Sequence, residues 1–307
     1  MKEQITNPLG ASLLVALTVS FLGTPVETAH GQIIYVSSFV RGTIGEYTTS
    51  GGTINASLIS GISEPTAIAV SGNNVYVAKW SDGAIGKYTT SGATVNASLI
   101  SGFYYPESIA VSGNRLFVGD QTRSTIAEYT TDGSLVNASF ISGISLPNSI
   151  TISGDKLFIA EGGKSRIGEY TLGGATVNAS LISGLNSPVG IAISGNNLYV
   201  AQGNNNGFIG RIGEYTLDGA TVNASLIVSA VSDPSSLAIS GGKLFVGNYG
   251  NGTIGEYNLD GTVVNAALIS GVDVTAMVIV PEPSPSLLAA LGSVLLFGWH
   301  RVRARRL

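Results

Sequence analysis

The sequence predicts an all-β protein, a six-bladed β-propeller with four antiparallel strands in each blade. Three observations support this fold: a repeat of propeller length, four strand patterns in each repeat, and a strand count that closes a ring. The repeat is marked by a charged residue followed by tyrosine, at steps of 41, 41, 41, 45 and 42 residues. Periods of about 40–50 residues with strand-like composition are typical of propeller blades. The six pairs are Glu46-Tyr47, Lys87-Tyr88, Glu128-Tyr129, Glu169-Tyr170, Glu214-Tyr215 and Glu256-Tyr257.

One full repeat, residues 67–102, contains four strand patterns in order. They read AIAV at 67–70, VYVA at 75–78, AIGKYTT at 84–90 and ATVNASLI at 93–100. Short segments such as Ser-Gly-Asn-Asn separate them, and these residues are typical of tight hairpin turns. The first pattern is small and apolar in every repeat, which suits the strand nearest a crowded propeller axis. Because the Glu-Tyr pair recurs in every blade, we interpret it as packing between blades rather than as an active site.

The two ends of the repeat region predict how the ring closes. The region begins with a second-strand pattern, IIYVSSF at 33–39, and it ends with a first-strand pattern, TAMVIV at 275–280. Three strands, five units of four and one final strand make 24, which is six blades of four. We therefore expect the last strand, 275–280, to pair beside the N-terminal strands. Closure would leave no blade with an uncovered apolar face.

Residues 1–31 are predicted to be a signal peptide. Lys2 precedes an apolar run, LGASLLVALTVSFL at 9–22, which is shorter than the roughly 20 residues that a membrane-spanning helix needs. Ala29 and Gly31 supply small residues for cleavage. We expect the protein to be exported through the inner membrane, with the propeller occupying residues 32–280.

Residues 281–307 form a predicted sorting tail. It begins with Pro281, Glu282 and Pro283, continues with an apolar segment at 287–299 that makes a short transmembrane helix, and ends in an arginine cluster, Arg301, Arg303, Arg305 and Arg306. In that order, these three parts resemble the PEP-CTERM sorting signal of Gram-negative bacteria. The resemblance implies recognition and cleavage by a membrane exosortase, in organisms that make exopolysaccharide. It also implies transient anchoring, followed by release to the cell surface or extracellular matrix. The alternative is an ordinary C-terminal anchor.

A second resemblance covers residues 32–280. The motif P-x-x-[IL]-[AT]-[VI]-S-G, followed by [LV]-[YF]-[VI]-[AG], resembles the NHL-repeat and related propellers. It supports the fold, and it leaves the function open because propellers serve as binding modules, scaffolds and enzymes.

Composition excludes several kinds of chemistry from the propeller. The sequence has no cysteine, and its two histidines, His30 and His300, lie outside residues 32–280. Thiolate or histidine catalysis is therefore not expected there, and no cofactor is predicted. Residues 32–280 carry 10 basic against 16 acidic residues, a net charge of −6, which disfavours a nucleic acid partner.

One face of the predicted propeller varies in sequence. It carries the loops from fourth to first strands and from second to third strands, including an insertion at 203–210. Aromatic rings beside carboxylates and amides suit a sugar-binding surface, because rings stack on apolar sugar faces and acceptors bind hydroxyls. The alternative is that these loop residues pack against neighbouring blades. The candidates are Trp80, Tyr104, Tyr105, Glu107, Asp120, Glu161, Phe208 and Tyr249.

These observations favour a non-catalytic binding or scaffold module for exopolysaccharide or a surface protein. The alternative function is a calcium-dependent lactonase or lyase at the channel mouth, since related six-bladed lactonases hold calcium there through Glu, Asn and Asp. A third hypothesis is a protease-resistant surface layer without a ligand. The residues that would have to converge on calcium are Glu64, Glu107, Asp120, Asn148, Glu161 and Asp233.

Overall fold

The structure is a computed structural model that describes residues 32–203 and 210–280. The predicted signal peptide and the predicted sorting tail, including its arginine cluster, lie outside the described residues. Within them the chain forms 24 strands and a short 3-10 helix, Gly162–Lys164. In this part of the chain, no helix has the length and apolar character needed to cross a membrane.

The strand bounds repeat nearly unchanged along the chain, and five of the first strands begin at a proline. The strands of the first three blades are β1 (Ile33–Ser38), β2 (Thr43–Thr48), β3 (Thr53–Ser60), β4 (Pro65–Ser71), β5 (Asn74–Lys79), β6 (Ala84–Thr89), β7 (Thr94–Ser101), β8 (Pro106–Ser112), β9 (Arg115–Asp120), β10 (Thr125–Thr130) and β11 (Leu135–Ser142). The remaining strands are β12 (Pro147–Ser153), β13 (Lys156–Glu161), β14 (Arg166–Thr171), β15 (Thr176–Ser183), β16 (Pro188–Ser194), β17 (Asn197–Gln202), β18 (Arg211–Thr216), β19 (Thr221–Ile227), β20 (Pro234–Ser240), β21 (Lys243–Asn248), β22 (Thr253–Asn258), β23 (Val263–Ser270) and β24 (Ala276–Val280).

The strands form six four-stranded antiparallel sheets, so the predicted six blades of four strands are confirmed. Blade 1 has the order β24-β1-β2-β3, and blades 2 to 6 each take four consecutive strands, beginning with β4, β8, β12, β16 and β20. Tight turns join the first and second strands. In blade 2 this turn holds Gly72 at a φ of 53°, a left-handed conformation that glycine adopts without the clash of a Cβ atom.

Blades are held together by apolar side chains that meet between neighbouring sheets. Between blades 2 and 3, for example, Tyr76 and Ile85 pack with Ile109, Leu116 and Val118. Each fully buried Leu or Ile side chain of this kind stabilises the fold by about 1.5–3 kcal/mol. The core is therefore a ring of six such interfaces, and it exists only where each blade has a neighbour on both sides.

The recurring tyrosine belongs to these interfaces, as the sequence interpretation required. In blade 4 the Tyr170 ring is 3% exposed and folds back over Gly168, where an added Cβ would lie 2.8 Å from the ring. Blade 3 has Ala127 at the position of that glycine, and its Tyr129 is only partly buried. The residue two positions before the tyrosine is therefore small, a glycine in five blades and an alanine in blade 3.

Closure of the ring occurs in blade 1, where β24 pairs antiparallel with β1 and places Val280 opposite Ile33. The predicted closure is confirmed. The Ser37 hydroxyl lies 2.8 Å from Thr275 Oγ1 and accepts a 2.8 Å hydrogen bond from the Ala276 backbone N–H. Among the six blades, only the closing blade has a serine at this strand position. The equivalent residues are Ala78, Gly119, Ala160, Ala201 and Gly247.

The register also fixes where the described chain enters and leaves the ring. Ile33 and Val280 pair at the edge of blade 1 that corresponds to the first-to-second-strand turns of the other blades. We call this the turn face, defined by turns such as 72–73 and 113–114. The opposite, mouth face carries the loops that contain Phe39, Trp80 and Tyr105. Both ends of the described chain therefore lie on the turn face.

Ser37→Ala should weaken closure. Alanine fits the equivalent position of three other blades, so the cost is the loss of hydrogen bonds to β24 rather than a packing defect. We expect the free energy of unfolding to fall by about 1–3 kcal/mol, measured by urea denaturation. The matched control is Ser57→Ala, at an exposed serine of β3 in the same blade, with an expected change within about 0.5 kcal/mol. Equal effects of the two substitutions would contradict a closure role for Ser37.

Candidate functional site

A central cavity of about 870 Å³ is lined by the first strands of all six blades. Small and branched side chains such as Ala67, Ile109 and Ile191 form its wall. Phe39, Trp80 and Tyr249 line it at the mouth face. The small apolar first-strand pattern of the sequence thus becomes the wall of a channel along the propeller axis.

A set of buried polar side chains supports the loops around the channel mouth. In blades 3 to 6 the last residue of the second strand accepts a hydrogen bond from a backbone N–H sixteen residues earlier, in the loop that leads into the same blade. We call these four side chains the buried collar. The bonds are Tyr104 N to Asp120 Oδ2 (3.2 Å), Ser145 N to Glu161 Oε2 (3.2 Å), Asn186 N to Gln202 Oε1 (2.9 Å) and Ser232 N to Asn248 Oδ1 (3.0 Å).

Two of the sequence-predicted binding residues belong to this collar. Asp120 is 1% exposed and Glu161 is 0% exposed. Asp120 also accepts a 2.9 Å bond from the Arg123 backbone N–H, and Glu161 lies 2.8 Å from Arg166. The structure therefore gives both carboxylates a role in holding loops, away from the surface that a ligand would reach. The fixed sixteen-residue spacing was the sequence signal for this role.

Blade 2 has a different arrangement at the collar position. Lys79 stands there, and an ammonium group cannot accept a hydrogen bond. Its Nζ lies 2.5 Å from Asp82, and this hydrogen bond is the main reason why the pKa of Asp82 lies below its usual value. The side chain of Ser63, sixteen residues before Lys79, also lowers the pKa of Asp82. Blade 2 thus has its carboxylate three residues after the collar position.

Three aromatic side chains from blades 1, 2 and 3 form a continuous aromatic ladder at the mouth: Phe39, Trp80 and Tyr105. The Trp80 and Tyr105 rings stack with centroids 4.3 Å apart and an interplanar angle of 24°. Phe39 meets Trp80 edge-on at 6.3 Å and 60°. Tyr105 keeps 39% of its surface exposed. Sequence reasoning found Trp80 and Tyr105 but missed Phe39, although Phe39 and Trp80 each follow the last residue of a second strand.

The other predicted aromatic residues lie apart from ring contacts with this ladder. Tyr104 is 62% exposed, and the guanidinium of Arg123 lies 5.3 Å from its ring centroid. Tyr249 is 43% exposed and lines the channel in blade 6. Phe208 lies outside the described residues.

Glu107 lies on the channel wall, one residue after the proline that begins β8. At four equivalent positions the side chain donates a hydrogen bond to a carbonyl of the adjacent blade. In blade 3 Ser108 instead donates to the Pro147 carbonyl, at 2.7 Å. Among the described residues, no hydrogen bond or ion pair reaches the Glu107 carboxyl group, and burial raises its pKa to about 7. The four equivalent bonds are Thr66 to Pro106, Asn148 to Pro188, Ser235 to Val274 and Thr275 to Pro65.

The acidic residues of the calcium hypothesis do not converge in the described part of the chain. Residues 32–203 and 210–280 contain no group of three or more His, Cys, Asp or Glu side chains with metal-site geometry. Asp120 and Glu161 are engaged in the collar, and Glu64 accepts a hydrogen bond from the Ser81 hydroxyl. Glu107, Asn148 and Asp233 line the channel in blades 3, 4 and 6.

Comparison with known proteins identifies the repeat type locally and the fold globally. The LVIVD repeat matches residues 64–84 and 189–209. This repeat and the six-bladed architecture fit the resemblance to NHL-like propellers. No curated protein sequence matches the chain.

Solved structures of the same fold have mixed roles. A chain of the nidogen/laminin complex matches with a TM-score of 0.61 and 14% identity, over 76% of this chain and 92% of that one. Virginiamycin B lyase from Staphylococcus aureus matches with a TM-score of 0.58 and 19% identity, over 76% and 83%. A gluconolactonase from Xanthomonas campestris matches with a TM-score of 0.56 and 15% identity, over 68% and 79%. Enzymes and a protein complex share the fold, so these similarities establish architecture alone.

Substitution of Gln202 tests the collar. In blade 5, Gln202 Nε2 and Arg211 Nε are buried without hydrogen-bond partners in the described structure, whereas the equivalent Glu161 and Arg166 of blade 4 form an ion pair. We expect Gln202→Ala to lower the free energy of unfolding by about 1–3 kcal/mol, because the Asn186 N–H loses its acceptor. Gln202→Glu keeps the acceptor and reproduces blade 4, so its stability should equal or exceed that of the wild type in urea denaturation. A loss as large as that of alanine would refute the collar.

Titration of Glu107 should appear in the pH dependence of stability. Its folded pKa, about 7, lies above the usual value of 4.5, so the unfolded state releases the proton first as pH rises. The free energy of unfolding therefore falls as pH rises from about 4.5 to about 7, and the full loss is present above about pH 7. We expect Glu107→Gln to exceed the wild type by up to about 3 kcal/mol at about pH 8, and by under about 1 kcal/mol at about pH 5, in urea denaturation. A difference that does not vary with pH would contradict this.

Proposed function

We propose that this protein is a non-catalytic binding module that holds a polysaccharide across the mouth of its channel. The observation that carries the proposal is the aromatic ladder, Phe39, Trp80 and Tyr105, with its stacked pair at 4.3 Å and partly exposed rings. Flat rings at a channel mouth suit sugar rings, because the apolar C–H faces of a sugar pack on an aromatic face.

Polar groups that line the same channel support the same proposal. Gln121, Asn148 and Ser187 line the channel together with Trp80. Amide and hydroxyl groups of this kind donate and accept hydrogen bonds from sugar hydroxyls, which fixes orientation, while the rings supply contact area. The loops that present them are held by the buried collar, so the surface is largely formed before a ligand arrives. Preorganisation of this kind lowers the entropic cost of binding.

The direction of the chain ends would orient the propeller if it is tethered at the cell envelope. The chain leaves the ring at Val280 on the turn face, and the ladder lies on the mouth face. The segment that follows Val280 is the proposed sorting tail, whose resemblance to PEP-CTERM implies processing by an exosortase. A protein tethered through that segment would direct its mouth face away from the attachment point. We accordingly propose export, transient anchoring and display at the cell surface or in the matrix.

The alternative function, a calcium-dependent lactonase or lyase, draws on fold similarity to a lyase and a gluconolactonase. We prefer binding because the acidic residues of the described chain do not converge on one point, whereas the aromatic rings do. The experiment below separates the two.

Thermal unfolding with exopolysaccharide from the host bacterium tests the proposal. A ligand that binds only the folded state raises the unfolding midpoint, so we expect a rise for the wild-type chain. Trp80→Ala and Tyr105→Ala should each weaken binding by about 3–10-fold, since an aromatic contact contributes about 0.5–1.5 kcal/mol beyond its buried area. The matched control is Asn114→Ala on the turn face, which should bind as the wild type does.

The same measurement in calcium and in EDTA distinguishes the alternatives. A rise with polysaccharide that EDTA leaves unchanged agrees with the binding module. A rise with calcium alone, together with turnover of a lactone panel, would favour the enzyme. No rise with polysaccharide, together with stoichiometric capture of a surface protein that Trp80→Ala abolishes, would redirect the proposal to a protein ligand.

A further inference from the structure

The Glu107 carboxylate has no structural task in the described part of the protein. Its counterparts Thr66, Asn148, Ser235 and Thr275 each bond to the next blade, and Ser108 has taken over that bond in blade 3. A carboxylate that is largely surrounded by protein and lacks a partner is costly, and such groups persist where they meet a ligand. The cost here has no compensating contact within the described chain.

The channel offers no protein cation to neutralise this carboxylate. The side chains that line the described channel include Glu107 and Asp233 but no lysine or arginine. Four basic residues of the mouth loops form ion pairs, Lys79 with Asp82, Arg123 with Asp120, and Lys164 and Arg166 with Glu161. Two others, Arg41 and Arg211, bind the Gly271 carbonyl and the Gln202 side chain and do not line the channel. The opening therefore has a negative potential, which attracts cations and repels polyanions.

Aromatic rings beside this carboxylate add a second group with affinity for cations. Trp80 and Phe39 line the same cavity as Glu107, and their rings meet at 60° to form a corner. Tyr105, stacked on Trp80, precedes Glu107 by two residues. An ammonium group that lies over a ring face, particularly that of tryptophan, is attracted by the electrostatic field of the ring.

We infer that the channel mouth selects a saccharide that carries ammonium groups, with Glu107 as the anionic partner of the ammonium and the ladder as its aromatic surface. This inference rests on the proposed function and adds the ligand class: amino sugars with free amines, in preference to neutral or acidic polysaccharides. The sugar ring packs on Trp80 or Tyr105, and its ammonium donates to the Glu107 carboxylate in a charge-assisted hydrogen bond.

Fluorescence of Trp80 provides a direct readout in the full-length chain. The sequence has two tryptophans, so Trp299→Phe leaves Trp80 as the single emitter. The probes are a β-linked glucosamine tetramer with free amines and the same tetramer fully N-acetylated, titrated in EDTA so that no metal bridges the ligand. We expect the amino tetramer to change the emission and to bind about tenfold more tightly than the acetylated one.

Glu107→Gln is the variant that isolates the charge. It keeps the shape of the side chain, and we expect it to lower the affinity for the amino tetramer by about tenfold while leaving the acetylated tetramer unchanged. If the variant keeps the full preference for the amine, or if the two tetramers bind the parent equally, the inference is wrong and saccharide binding by the ladder survives without it. If neither tetramer nor host exopolysaccharide binds, the proposed function fails as well.

A ligand with fixed charge tests the ionisation of Glu107 separately from that of the amine. An N-trimethylated tetramer stays cationic at every pH, so its affinity follows the carboxyl group alone. Because burial raises the pKa of Glu107 to about 7, binding should weaken by severalfold from about pH 8 to about pH 6, and Glu107→Gln should show no such dependence. A pH dependence shared by both proteins would contradict the assignment of the anionic partner to Glu107.

Discussion

Every part of this structure depends on closure of the ring between β1 and β24. A blade buries its apolar faces only against two neighbours, so an array left open would expose one face at each end. The chain meets this constraint by starting with a second strand and finishing with a first strand, which brings residues more than 230 positions apart into one sheet. Ser37 adds polar contacts at that seam, in a position where the other blades have only alanine or glycine.

Repetition makes departures from the pattern informative. The tyrosine recurs in all six blades and the collar acceptor in blades 3 to 6, because these blades meet the same packing and hydrogen-bonding requirements. Where one blade has a different residue, another side chain either takes over the lost contact or does not. Lys79 is compensated by Asp82. In blade 3, Ser108 makes the bond to the next blade that Glu107 does not make. The Glu107 carboxylate itself has no compensation in the described chain, and this distinguishes a ligand-facing group from a tolerated variant.

The fold could be predicted from the sequence almost completely, because strand period, turn residues and strand count all depend on local pattern. The site could be predicted only in part. Of the predicted residues, Trp80 and Tyr105 lie at the mouth as a stacked pair, whereas Asp120 and Glu161 are buried in the collar. A loop sequence does not reveal whether a side chain turns outward or folds back to accept a backbone N–H, since that depends on a strand sixteen residues away. Phe39 was missed although it holds the same repeat position as Trp80, directly after a second strand, because a repeat position alone does not show that two rings from adjacent blades meet.

The asymmetry of the mouth bears on the kind of ligand that would fit. Six similar blades could present a symmetric ring, yet the aromatic ladder occupies blades 1 to 3, with Glu107 in blade 3. Across the channel, blades 5 and 6 present Val189 and Ser235 at the positions equivalent to Glu107. A ligand held by the ladder would therefore bind along one side of the opening rather than at the axis. Such a surface suits an extended chain crossing the mouth, with one residue reaching down to the carboxylate, better than a small molecule enclosed at the centre.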